Sequence, residues 1–395
     1  MQSTSAPFPA PPRSLAAVAL GIFLLLGIIY PILGPALPRL SAQFGLQATG
    51  ASLLLSANSA GAFLGVVLAG LLPERLMAER RAALALMLTA LGSLGLAFAP
   101  DFPLALLASG LLGLGFGMLD LTINVWLSVR YGERSAAMLN LLSAGFGVGA
   151  VLAPLAVGRA GGNVQLPLLG CAVFAGLLLW PLLKLPRSPA PTTHLETTGS
   201  TPTPLRKSAR PVQLLLGVFI LLFMVYVAVE GGVGAWEVTA LQDSLGLSTA
   251  AASQISSLYW VFFTAGRMIT APLTLRFAPP QLVTGALALA VISLACAAIP
   301  AAAPAAYSLT GLFLAPVFAT SLVWLSRELP GKSAPTLVFA GGFLGPVLFS
   351  PVIGSLRDTF GPAATPLALT GIAALDLLLV VWLVNLLRRR PRLAV

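Results

Sequence analysis

Asp120 and Asn124 stand four residues apart in LLGLGFGMLDLTINVWLSV, a run too apolar for any water-facing helix. Residues at i and i+4 share a helix face, so an amide lies beside a carboxyl. An amide can donate to an acid in either protonation state, which suits a group that must titrate. A charge in an apolar span costs from about 2.5 to more than 10 kcal/mol, depending on method, and burial disfavours the ionised form. A second acid, Glu230, lies in LLGVFILLFMVYVAVEGGVGAW and opens a glycine-rich stretch. The chain has only 12 acids in 395 residues. Two of them in apolar runs point to reversible uptake of a proton or sodium ion, the chemistry of ion-coupled transport. The single histidine, His194, falls in a polar segment, so any protonation switch must use carboxylates.

Other polar groups in apolar runs could meet a solute. Asn58, Asn140 and Gln254 could bond to hydroxyls, although bonds between helices explain them equally well. Trp236 could stack on a ring or anchor at the membrane interface. Tyr30 and Tyr226 could face one another across a central cavity, with Tyr259, Trp260 and Trp324 as aromatic wall or interface residues. The glycines at 231, 232 and 234 let a helix unwind beside a site or pack closely. For Asp120 the plain alternative is permanent pairing, or capping of a kink near the glycines at 113, 115 and 117. Glu237 and Asp243 fall near a span end and are expected in solvent. Asp376, in the last span, is expected to pair with a neighbouring helix or lie in an oligomer contact.

These residues need helices to hold them. A spanning helix takes about 20 mostly apolar residues, and that ruler gives twelve. They cover 15–38, 49–72, 82–99, 103–129, 136–158 and 165–184, then 211–242, 249–274, 281–299, 303–326, 334–356 and 363–387. The runs lack the alternation of barrel strands, so the expected fold is an all-α integral membrane protein. At about 1.5 Å per residue, Asp120 lies roughly 15 Å and Glu230 roughly 28 Å from the same membrane face. On that count the acids fall on opposite sides of the midplane.

Hydrophobic residues make up 57% of the chain and charged residues 9%, against about 25% charged in soluble domains. The net charge of +10 suggests no nucleic acid, because the basic residues fall in short loops. With the N-terminus inside, 18 of the 22 Lys and Arg residues fall on the cytoplasmic side, which places both termini there. Cys171 and Cys296 lie in spans and suggest neither a disulfide framework nor a metal site. No nucleotide loop, nucleophile–base pair or metal cluster points to an enzyme, and no cofactor is expected beyond the coupling ion. A receptor or scaffold would have no use for the buried acids.

The segment PRSPAPTTHLETTGSTPTPLRKSARP has almost nothing to bury and reads as a linker. The expected organisation is a tail (1–14), a six-helix bundle (15–184), a cytoplasmic linker (185–210), a second bundle (211–387) and a basic tail (388–395). LGIFLLLGIIY at 20–30 matches LGVFILLFMVY at 216–226 in six of eleven positions. Farther on, FGL at 44–46 matches LGL at 245–247, so the offset grows from 196 to 201. The seventh span therefore holds about five extra residues, in or near EGGVG. Six-plus-six duplication explains both matches.

Two repeats of six helices around a long central loop resemble the major facilitator superfamily over essentially the whole chain. Its loop signature between the second and third helices survives as Gly70, Glu74, Arg75, Arg80 and Arg81, with Glu for the usual Asp. The second-half copy, GRMITAPLTLRFAPP, keeps Arg267 and Arg276 but has Leu275 in place of the acid. The resemblance assigns Glu74, Arg75, Arg267 and Arg276 to a gating network, weakened by these departures.

GFGMLDLTINVWLSVRYGERSAAMLNLLSAGFGVGAVLAP is similar to the fucose–galactose–glucose–proton symporters and the sodium-dependent glucose transporter-like proteins. Asp120 and Asn124 match that group's acid and Asn, while Ser143 or Ala144 stands near its usual His. Tyr226, Glu230 and Trp236 resemble its seventh-helix pattern. The resemblance implies alternating access of a small polar solute, a sugar above all, driven by protons or sodium. It also implies a chain working as a monomer in the lipid bilayer, with a bacterial inner membrane as the expected location. The alternative is a proton-coupled drug or metabolite exporter of the same superfamily. That reading draws on the glycine-rich run AGFGVGAVLAPLAVG, where Ala153–Pro154 replaces the exporters' Gly-Pro.

Overall fold

The computed structural model describes residues 13–72, 77–185, 210–329 and 334–388. Twelve helical passes run through it, without a strand among the described residues. The first half holds α1 (Arg13–Ile29), α2 (Leu33–Phe44), α3 (Ala48–Leu71), α4 (Ala78–Ala97), α5 (Phe102–Tyr131), α6 (Ser135–Arg159) and α7 (Gln165–Leu183). The second holds α8 (Arg210–Leu245), α9 (Thr249–Leu273), α10 (Pro279–Cys296), α11 (Ala303–Glu328), α12 (Ala334–Gly342), α13 (Leu344–Phe360) and α14 (Ala364–Arg388). Two passes are broken. The first bends by 45° between α1 and α2, and the eleventh is interrupted at Phe343, between α12 and α13.

Ten helical segments are long and apolar enough to span a bilayer, and the bent α1–α2 pair makes an eleventh. The remaining pass is α9, which carries Ser253, Gln254, Ser256, Ser257 and Arg267. Its serines turn inward while Gln254 faces out, and these polar groups are why its composition falls short of a lipid-facing helix. The described helices carry the expected repeat, down to its turns. Gly45 (φ 62°) and Gly246 (φ 64°) end the first pass of each half in the left-handed conformation, which glycine adopts without steric cost.

The extra residues of the seventh span have a different outcome from unwinding. From Tyr226 to Leu245, α8 is continuous helix, whereas its counterpart from Tyr30 to Phe44 is broken at the start. Pro31 removes a backbone donor and disfavours helix at the residue before it. No proline follows Tyr226, so the second copy runs on straight.

By alternation of the twelve passes, both described termini and the ends that flank the central linker lie at one end of the bundle, called here the terminal end. At the opposite end, the far end, the halves are tightly joined. Asp358, in the last turn of α13, accepts from the backbone N–H groups of Ala48 (2.9 Å) and Thr49 (2.8 Å) and from the Thr49 hydroxyl (2.6 Å). Gly158 of α6 packs on Ser253 of α9. Gly34 lies so near α8 that a Cβ there would fall 2.0 Å from the Gly234 carbonyl oxygen.

The α6 and α9 helices still touch midway, at Gly147 and Thr264. One to two turns nearer the terminal end the same stripes, Ala144 and Asn140 on α6 and Ala271 on α9, are exposed. The bundle is therefore closed at the far end and parted at the terminal end. Gly34→Ala should hold the far end apart. Thiol labelling of a Thr49→Cys probe, with Cys296 replaced, should rise well above its level without the Gly34 change. Unchanged labelling would show that the contact does not control closure.

Candidate functional site

The break after α1 projects Tyr30 into the middle of the bundle, where it meets rings from both halves. Its ring centroid lies 5.8 Å from Phe116 of α5, 5.8 Å from Phe146 of α6 and 5.7 Å from Trp260 of α9. Phe343, at the break in the eleventh pass, meets Phe116 at 6.1 Å. Ring pairs at these separations add cohesion beyond apolar burial, so the layer joins the halves at mid-height.

Against this layer lies a small cavity lined by Tyr30, Phe116 and Trp260 with the polar groups of Asn58, Ser59 and Ser350. Its free volume is about 50 Å³, room for a few waters. Gly231 and Gly234 supply the α8 wall, so the glycine-rich stretch brings backbone to the cavity without unwinding. Asn58 donates to the Ser109 carbonyl at 3.1 Å, which leaves its side-chain oxygen able to accept.

Asp120 sits one turn below Phe116, toward the terminal end, and is half-buried. Asn124 donates to its carboxylate at 2.7 Å and to its backbone carbonyl at 2.9 Å. Both amide hydrogens are thereby committed to Asp120, so Asn124 orients the acid and has only its carbonyl left for a solute. Glu230 is buried, at 7% exposure. The Tyr226 hydroxyl lies beside its carboxyl while donating to the Leu314 carbonyl at 3.3 Å.

The sequence count had put the two acids on opposite sides of the midplane, with Arg267 assigned to a gate. In the structure the charge of Arg267 acts on both Asp120 and Glu230, without a direct ion pair to either among the described residues. It lies one turn below Thr264, at the top of the parted end, with its guanidinium 4.5 Å from the Phe263 ring. Asp120 belongs to one half, Arg267 and Glu230 to the other. Tyr30 is within the field of all three.

Other candidate residues are placed elsewhere. Tyr226 is fully buried and, unlike Tyr30, does not line the cavity. Trp236 is 1% exposed and packs near Arg357, 6.0 Å from its ring. Gln254 and Asn140 are exposed and outside the cavity. Gln254 is one residue past Ser253, about 100° around the helix from the stripe that meets α6. Arg276 is exposed in the turn after α9, and Glu74 and Arg75 lie outside the described residues.

Glu237, expected in solvent, is completely buried, because α8 continues straight and turns that face into α9 and α11. Asp243 is bound to Arg357. Asp376 is also completely buried, with no partner for its carboxyl among the described residues. Phe116 escaped the sequence reading, although its place four residues before Asp120 was a usable signal.

Comparison with known proteins adds the family. The Major Facilitator Superfamily profile matches residues 18–338. Over 382 residues the chain is 23% identical to "Sodium-dependent glucose transporter 1A" of Mus musculus, covering 86% of this chain and 88% of that one. A solved D-xylose–proton symporter superposes with a TM-score of 0.77 at 18% identity, covering 93% and 97% of the two chains. A nucleoside transporter superposes at 0.74 with 15% identity, covering 96% and 99%. At such identities the structures share a fold and leave the solute open. With most of its length inside the family match, this chain belongs to the Major Facilitator Superfamily, whose members are multi-pass membrane transport proteins and not enzymes.

Proposed function

We propose that this transporter moves a small polar solute of the sugar class and couples its passage to a proton or sodium ion through Asp120 and Glu230. The observation that carries the reading is that the charge of Arg267 acts on an acid from each half, below the aromatic layer that lines the central cavity. Neutralising either acid leaves Arg267 to the other, so ion occupancy in one half alters the attraction between halves. Rocking of the halves about the Tyr30 layer would then expose the cavity to each side in turn.

The solute class rests on the cavity lining. Ring faces from Tyr30, Phe116 and Trp260 with side-chain oxygens from Asn58, Ser59 and Ser350 suit a ring with a hydroxylated edge. The mouse relative's name supports a sugar and sodium; the xylose transporter's supports a sugar and protons. The excess of basic residues at the terminal end supports a cytoplasmic location for both termini. The parted end then faces inward. A single chain contains the whole site and is expected to suffice.

Uptake by proteoliposomes tests the reading. A panel of sugars, nucleosides and amphiphilic drugs should yield sugar uptake driven by a proton or sodium gradient. Asp120→Asn and Glu230→Gln should each abolish the gradient's effect. Unchanged driven uptake in both variants would sink the mechanism, and drug extrusion without sugar uptake would favour an exporter.

A further inference from the structure

Glu237 lies two turns beyond Glu230 on α8, completely buried, and neither carboxyl oxygen has a hydrogen-bond partner among the described residues. Its surroundings bear oxygens that are equally unsatisfied. The Ser256 hydroxyl of α9 sits beside the carboxyl without a well-aligned bond. The Tyr307 hydroxyl of α11 lies in its field and also has no partner among the described residues. Tyr259 is near as well, but its hydroxyl is engaged with the Glu230 carbonyl at 3.3 Å. Arg357 of α13, whose charge reaches Tyr307, is bound to Asp243.

Buried polar groups are almost always paired, and those that are not call for an ion or ordered water. Water could satisfy the hydroxyls but would leave a carboxylate charge uncompensated, at a cost of several kcal/mol. A proton would remove the charge and let the acid donate to one hydroxyl while accepting from the other, but that arrangement needs direct aligned bonds among the three groups, and none is present among the described residues. A small monovalent cation meets both needs, since carboxylate and hydroxyl oxygens are the hard ligands it prefers. A divalent ion would leave a net positive charge, and no group of three or more acidic, His or Cys ligands exists among the described residues.

We propose that Glu237, Ser256 and Tyr307 form a sodium site inside the second half, separate from the Asp120–Arg267–Glu230 group. The site lies toward the sealed far end, where Gly158 covers Ser253, so the ion enters when that end opens. Tyr259 links it to Glu230, one hydroxyl group away. The proposal deepens the transport reading by placing sodium, yet sodium binding does not require that the solute be known.

Equilibrium binding of radioactive sodium to the purified full-length protein, with potassium and choline as competitors, tests it. Saturable binding is expected in the wild type, weakened about tenfold or more by Glu237→Gln and measurably by Ser256→Ala and Tyr307→Phe. If Glu237→Gln does not fold, the two hydroxyl variants decide. No saturable binding in the wild type, or wild-type affinity in the folded variants, would overturn the site. Binding lost in Asp120→Asn but kept in Glu237→Gln would overturn it too while leaving the central reading intact. Sodium bound at Glu237 without any driven sugar uptake would count against the transport reading alone.

Discussion

Arg267→Gln is expected to lower gradient-driven uptake about tenfold or more. The change leaves Asp120 and Glu230 in an apolar interior without the positive charge they share. No direct ion pair joins Arg267 to either acid among the described residues, so the loss of its longer-range charge costs about 1.4–2.8 kcal/mol, roughly tenfold to a hundredfold in an equilibrium constant. The double variant Arg267→Gln with Asp120→Asn should recover part of the lost stability, because it removes one of the orphaned charges. Such recovery is a non-additive coupling, expected for residues of one network and absent for distant independent ones. Gradient-driven flux measures the first effect and thermal unfolding the second. Wild-type flux in Arg267→Gln, or strictly additive losses in the pair, would show that Arg267 serves only as packing against Phe263.

Asp358→Ala should shift the resting transporter away from the far-closed state. Asp358 caps the first turn of α3 across the boundary between halves, occupying two backbone N–H groups and the Thr49 hydroxyl. The start of a helix favours a carboxylate both as an acceptor and through the helix dipole. The contact is exposed, so its worth is the ordinary cap value of about 1–2 kcal/mol, a change of about 5- to 30-fold in the ratio of states. Spin-label distances between Gln47→Cys and Ser355→Cys would report it as a growing population of longer separations. Asp358→Asn should shift the ratio less, since one amide oxygen can still accept. A distance distribution identical to that of the parent would mean that the glycine contacts alone close the far end.

Much of the architecture was legible in the chain. Apolar run length placed twelve passes within a few residues, because a bilayer demands long apolar helices with internally satisfied backbones. The repeat was visible at Leu20–Tyr30 and Leu216–Tyr226, and its turns end in matched glycines. The pairing of Asp120 with Asn124 was local geometry, and the structure has it at 2.7 Å. Polar residues whose surroundings are set by other helices were harder. Glu237, Gln254 and Trp236 looked alike as polar or amphipathic groups near helix ends. One is sealed inside, one faces out and one packs beside an arginine.

The sequence by itself determined that this protein is a duplicated bundle of membrane helices with acids too costly to be incidental. That information is carried by hydropathy and by spacing along single helices, both of which are local. Only the tertiary structure decided that Tyr30 leaves its helix to join both halves, while its repeat partner Tyr226 stays buried. It also decided that the charge of Arg267 acts on an acid from each half, and that the far end is the closed one. These depend on where separate helices meet in space. Contacts between residues such as Tyr30 and Trp260, far apart in the chain, are set by packing angles and helix breaks that no local pattern encodes.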